Sequence, residues 1–153
     1  MIHMEYIERI ANQLKKQYGT KDPFVICDAL DIVVLAVDLG KNIRGFYQKL
    51  LGTQLIYINT NLNYREKDIV CAHELAHAIL HPACDFYYGL KQNDFVCARL
   101  EREADIFCAH LLIEDDEIQR AYIDRSYETY IRDFSRITGI PERIVELKFK
   151  HVG

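Results

Sequence analysis

His73, Glu74 and His77 are the residues whose types and spacing speak most directly of chemistry. They lie in the run Val70-Cys71-Ala72-His73-Glu74-Leu75-Ala76-His77, an H-E-x-x-H pattern. On an α-helix, residues four apart lie about 40° apart around the axis and about one turn along it. Both imidazoles can therefore reach one divalent ion. Glu74 lies about 100° from His73 on the same side, placed to touch a metal-bound water without binding the metal. The chemistry this permits is hydrolysis, with a metal-activated water as nucleophile and Glu74 as general base.

A catalytic zinc site needs a third protein ligand and an open position. The segment Ala98 to Ile113 reads as a helix with Leu100, Ala104, Phe107 and Leu111 as its apolar stripe. It offers Glu101, Glu103 and Asp105. Glu101 and Glu103 lie about 80° to either side of the stripe, so helical geometry leaves both open. The spacing Glu101-x-x-x-Asp105 matches the thermolysin-type third-ligand pattern and favours Glu101. His81 makes a second i, i+4 pair with His77, but Pro82 follows it and Glu74 lies a turn away. His81 is read as a helix-end histidine or a hydrogen-bond partner of a ligand. Ala83 stands where a metzincin would carry its third histidine, which excludes that class.

These residues need elements to hold them. The stripe Ile7, Ile10, Ala11 and Leu14 predicts a helix over 4–18, stopped by Gly19. Asp22-Pro23 starts a short helix to about Leu30. The period then changes: 32–39, 43–50 and 53–60 are rich in β-branched and aromatic residues, and breaks at 40–42 and 51–52 divide them. They read as an antiparallel meander. Asn63 and Glu66 form a capping pattern that opens a helix over 64–81, ended by Pro82. A loop over 83–97 carries Tyr87 and Tyr88, and such long loops are often functional. Short helices follow at 114–124, 127–138 and 141–151, with the acidic run 114–117 as a helix start and Gly139 and Pro141 as punctuation. Tyr87, Tyr88 and His110 are candidates by type to stabilise an oxyanion.

Composition narrows the class. The chain's 153 residues, half of them hydrophobic, suit one globular domain with a true core. Nineteen basic against twenty-three acidic side chains give a net charge of −4, a poor footprint for nucleic acid, so direct DNA binding is not expected. The longest apolar run, Ile32 to Val37, falls far short of the roughly 20 residues that span a bilayer. The first residues carry charges where a secretory signal needs an apolar stretch, so the expected location is the cytoplasm. Five cysteines without a C-x-x-C pair argue against a disulfide framework or a thiolate zinc cluster. Cys71, Cys97 and Cys108 read as small buried hydrophobes.

The combination of GFYQKLLGTQLIYINTNL, VCAHELAHAILHP and EREADIFCAHLL resembles the ImmA/IrrE family of zinc metallopeptidases, over about residues 42–113. The family usually ends this stretch with Leu-Leu-Met-Pro, where this chain has Leu-Leu-Ile-Glu at 111–114. The resemblance implies an α+β, mostly helical zincin-like domain over 1–125, with a small three-stranded antiparallel sheet packed on the zinc helix. Residues 126–153 would form a helix-turn-helix-like extension of the same domain. It implies one catalytic zinc ion (Zn2+) held by His73, His77 and Glu103, the last being the glutamate just before Ala-Asp, with Glu74 as general base of a gluzincin-like endopeptidase. It further implies an anti-repressor of a phage or mobile element, whose protein substrate is a helix-turn-helix repressor. The alternative is a non-proteolytic transcription regulator, or a toxin-like partner, that uses the fold as scaffold or sensor.

Overall fold

The computed structural model describes residues 2–83, 94–117 and 126–152. Helix α1 (Ile2–Tyr18) buries Ile7 and Ala11 completely and rests Met4, Ile10 and Leu14 on the core, as its stripe requires. Helix α2 (Pro23–Ala29) starts where the Asp22 carboxylate accepts the Phe24 N–H at 2.9 Å, with Pro23 in the first turn.

The sheet contains β1 (Val33–Val37), β2 (Gly45–Leu50) and β3 (Thr53–Asn59), in the order β1-β3-β2. Strands β2 and β3 form the expected hairpin; Leu51 and Gly52 both take positive φ, 50° and 81°, the geometry of a tight two-residue turn. Strand β1, however, pairs with β3 in parallel. The sheet is mixed, which corrects the antiparallel meander. Asn59, buried at the end of β3, supplies the reason. Its Nδ2 donates to the carbonyls of Gly40 and Ile43, both at 2.7 Å, and its Oδ1 accepts the Leu39 N–H at 3.2 Å. These bonds hold 38–44 as a bridge across the sheet's end, so the chain skips one position and β3 returns between its predecessors.

Helix α3 (Tyr64–Leu80) opens on a full capping box: the Asn63 side chain accepts the Glu66 N–H, and the Glu66 carboxylate accepts the Asn63 N–H, each at 2.9 Å. His81 closes the helix, its N–H donating to the His77 carbonyl. Cys71, Ala72, Leu75 and Ala76 are fully buried, because α3 is covered by the sheet, by α2 and by α4 (Asp94–Leu112). Gly45 lets the sheet come close: a Cβ there would lie 2.6 Å from both Val70 Cγ1 and the Tyr57 carbonyl oxygen.

Helix α4 begins four residues before the expected Ala98, so the loop is shorter than read; residues 84–93, with Tyr87 and Tyr88, lie outside the described residues. The acidic run does start a helix, with Glu117 Oε2 accepting the Glu114 N–H at 3.0 Å. Helices α5 (Tyr127–Thr138) and α6 (Glu142–Val152) meet at Gly139, whose φ of 79° ends α5 in the left-handed region. Tyr130, Ile131, Ile144, Val145 and Phe149 join the same hydrophobic cluster as α3 and α4. Cys71 and Cys108 are buried as expected, whereas Cys97 is half-buried. No described helix is long and apolar enough to cross a membrane. The architecture is α+β and mostly helical.

Candidate metal centre

Helix α3 presents His73 and His77 one turn apart on the side that meets α4. Helix α4 answers with Glu101 and Asp105, themselves one turn apart. The Glu101 carboxylate spans the pair, with Oε2 at 2.9 Å from His73 Nε2 and Oε1 at 2.9 Å from His77 Nε2. Ligand atoms of His73, His77 and Glu101 all lie within 4.8 Å of one another. Two imidazole nitrogens and a carboxylate oxygen on a common point make a donor set suited to zinc with one position left open. Asp105 Oδ1 stands 3.0 Å from His73 Nδ1 and so fixes the ring from behind.

Electrostatics fit a cation at this point. Burial alone would lower the His73 pKa, but hydrogen bonds to Asp105 and Glu101, with the charges of Glu74 and Glu101, push it up to about 10. Burial holds His77 below the usual histidine range despite its bond to Glu101. Glu101 lies well below the ordinary carboxylate range: burial opposes this, and its hydrogen bonds to His73 and His77 prevail. Positive charge is thus favoured where the three side chains converge.

Glu74 is buried, and its Oε2 has no hydrogen-bond partner among the described residues. Such an orphaned oxygen is costly unless a ligand or water uses it. Burial pushes its pKa up to about 7, with His73 opposing and Glu101 reinforcing the rise. A carboxylate so poised can take a proton and return it near neutral pH.

The other glutamate faces elsewhere. Glu103 Oε2 is 2.9 Å from His81 Nε2, and its Oε1 is 2.9 Å from His3 Nε2 and 3.8 Å from Arg99 Nε. Two residues on a helix turn about 200°. With Leu100, Ala104 and Phe107 facing the core, one flank of α4 must carry Glu101 and the other Glu103. The docking of α3 brings the Glu101 flank to His73 and His77, and leaves Glu103, the ligand implied by resemblance, at the end of α3 beside His81. His110, fully buried, lies 3.4 Å from Lys148 Nζ and 4.0 Å from Glu8 Oε1, so it faces α6 and α1 rather than this cluster. Sequence reasoning missed Asp105 as the partner of His73, although the i, i+4 spacing from Glu101 carried the signal. It also missed Arg143, whose Nε lies 3.4 Å from Asp105 Oδ2 and ties α6 to the site.

Residues 27–148 match the sequence model of the IrrE N-terminal-like domain, a family of peptidases. The chain belongs to the ImmA/IrrE family. This member is similar to an uncharacterized immunity region protein of Bacillus phage phi105, at 31% identity over 93% of this chain and 88% of that one. It is also similar to the metallopeptidase ImmA of Bacillus subtilis strain 168, at 29% identity over 90% of this chain and 80% of that one. In this chain the matched residues include helix α3 and the crossing α4, which bring His73, His77 and Glu101 together.

Proposed function

We propose that this chain is a zinc-dependent endopeptidase of the cytoplasm that cleaves a helix-turn-helix transcriptional repressor of a phage or mobile element. We place the metal on His73, His77 and Glu101, with Glu101 taking the position the resemblance gives to Glu103. The observation that carries the reading is the Glu101 carboxylate shared by both imidazoles, together with the buried Oε2 of Glu74 on the same helix as the imidazoles, which has no hydrogen-bond partner among the described residues. The family match and the similarity to ImmA support a metallopeptidase, and the phi105 relative supports a setting in phage immunity.

Zinc, when bound, supplies Lewis acidity: it polarises the scissile carbonyl and lowers the pKa of a bound water to about 7. The chain's own residues do the rest. Glu74 Oε2 accepts the proton as the water attacks and delivers it to the leaving amine. Asp105 holds the His73 ring by its outer nitrogen. Burial keeps His77 neutral, the state in which imidazole is a ligand.

The tail supports an enzyme over a DNA-reading regulator. Of the basic residues on α6, Arg143 pairs with Asp105, and Lys148 is buried against Asp115 at 2.6 Å, which withdraws the lysine from phosphate contact. The test is incubation of purified, zinc-loaded protein with a helix-turn-helix repressor from the same phage or mobile element. The expected result is one discrete cut, lost in Glu74→Gln. Intact repressor with stoichiometric zinc bound overturns the proteolytic reading. Metal analysis settles the ligand set: Glu101→Ala is expected to lose zinc, and Glu103→Ala to retain it at saturating metal.

A further inference from the structure

We propose that His81 and Glu103 are positioning residues for the metal centre, forming a relay that orients His77 from behind. This rests on the reading of His73, His77 and Glu101 as ligands. A histidine that offers Nε2 to a metal carries its proton on Nδ1, and that proton needs an acceptor. For His73 the acceptor is the Asp105 carboxylate, 3.0 Å from Nδ1. For His77 the corresponding nitrogen, Nδ1, lies 3.1 Å from His81 Nδ1.

The chain of bonds continues outward from His81. Glu103 Oε2 lies 2.9 Å from His81 Nε2, and a carboxylate only accepts, so His81 Nε2 bears a hydrogen. With a metal on His77 Nε2, His77 carries its hydrogen on Nδ1, and His81 Nδ1, 3.1 Å away, is the atom placed to accept it. The lone pair of His77 Nε2 would then be free for a metal held between it and Glu101. A carboxylate thus supports each imidazole ligand: Asp105 directly on His73, Glu103 through one intervening ring on His77.

The surroundings suit the task. His77, His81 and Glu103 are all buried, so their hydrogen bonds are shielded from water. His81 stands at the C-cap of α3, where its backbone N–H donates to the His77 carbonyl and fixes it one turn from the ligand. Glu103 is steadied from the far side by His3 of α1 and Arg99. A plain helix-end histidine would not need a buried carboxylate on its outer nitrogen.

The test measures zinc affinity by competition with a chromophoric chelator, and the absorption spectrum of the Co(II)-substituted protein. Wild type is compared with His81→Ala, His81→Gln, Glu103→Ala and Glu103→Gln, and folding is checked by circular dichroism. His81→Ala and Glu103→Ala are expected to bind one zinc per chain at saturation, with affinity reduced about 10- to 100-fold and a shifted Co(II) spectrum. His81→Gln is expected to recover part of the loss, since its amide can accept from His77 and donate to Glu103. Affinities within twofold of wild type and an unchanged spectrum overturn the proposal; thermal destabilisation of the chelated protein alone would mark a merely structural role. Complete loss of zinc from Glu103→Ala at saturation also overturns it, by making Glu103 a direct ligand. If the alanine variants do not fold, the glutamine variants decide on the same criteria. Wild type that binds no zinc removes the ligand reading itself, an outcome distinct from wild type and variants binding equally.

Discussion

The inner and outer flanks of α4 use the same residue types to different ends. Toward α3, Glu101 and Asp105 meet His73 and His77, and the donor atoms converge on one point beside an oxygen of Glu74 that has no partner among the described residues. Toward α1 and α6, the charges are paired off. Lys15 donates to the His110 carbonyl at 2.6 Å, Lys148 meets Asp115 at 2.6 Å, and Lys148 Nζ lies 3.4 Å from His110. Histidines and carboxylates alone do not make a site. Convergence on a shared point, with one buried group left over, separates the reactive flank from the one that staples helices together.

The largest expected effect tests the leftover group. Glu74→Gln should cut proteolysis by about 100- to 10,000-fold while zinc binding persists, measured by repressor cleavage and metal content. If cleavage survives, the inner flank loses its claim to chemistry. Next, Asp105→Ala should weaken zinc binding by about 10- to 100-fold in a chelator competition. Arg143→Ala, which removes only the outer contact to Asp105, should weaken it less.

At the Lys148–Asp115 pair, stability rather than metal affinity should respond. Asp115→Ala leaves the buried Lys148 ammonium without its carboxylate and should destabilise the fold by about 1–3 kcal/mol in a denaturant titration, with zinc affinity unchanged. Lys148→Met should cost less, because the abandoned Asp115, 64% exposed, remains solvated.

The smallest effect is one of pH. In chelator-treated protein, burial holds the Glu74 pKa at about 7, above its ordinary 4.5. The folded state therefore binds more protons than the unfolded state between these values, and its stability falls as pH rises through about 7. Glu74→Gln should flatten that fall in thermal melts recorded across the same range.

Features decided within one helix were legible in the sequence. The H-E-x-x-H spacing, the Asn63–Glu66 capping box and the Gly139 break depend on neighbours a turn away, and all appear as read. Features decided between elements were not. Periodicity tells which face of a strand is apolar but not which strand lies beside it, so the parallel pairing of β1 with β3 and the bridging role of Asn59 went unseen. Glu101 and Glu103 flank the same apolar stripe symmetrically, so periodicity leaves both open; the Glu101-x-x-x-Asp105 spacing favours the first, and the docking of α3 sends the two to different histidines. The start of α4 was placed late because Asp94 to Cys97 precede the apolar stripe that marks the helix in sequence.

The bare backbone at Gly45 sets a tolerance for the whole assembly. Hydrogen is the thinnest spacer a residue can offer, and here it separates a strand from Val70, three residues ahead of His73. Even a methyl group at that point would act as a wedge beneath the rod bearing the imidazoles. The aim of those rings at Glu101 thus depends on a position with no side chain, packed about one helical turn before the first of them.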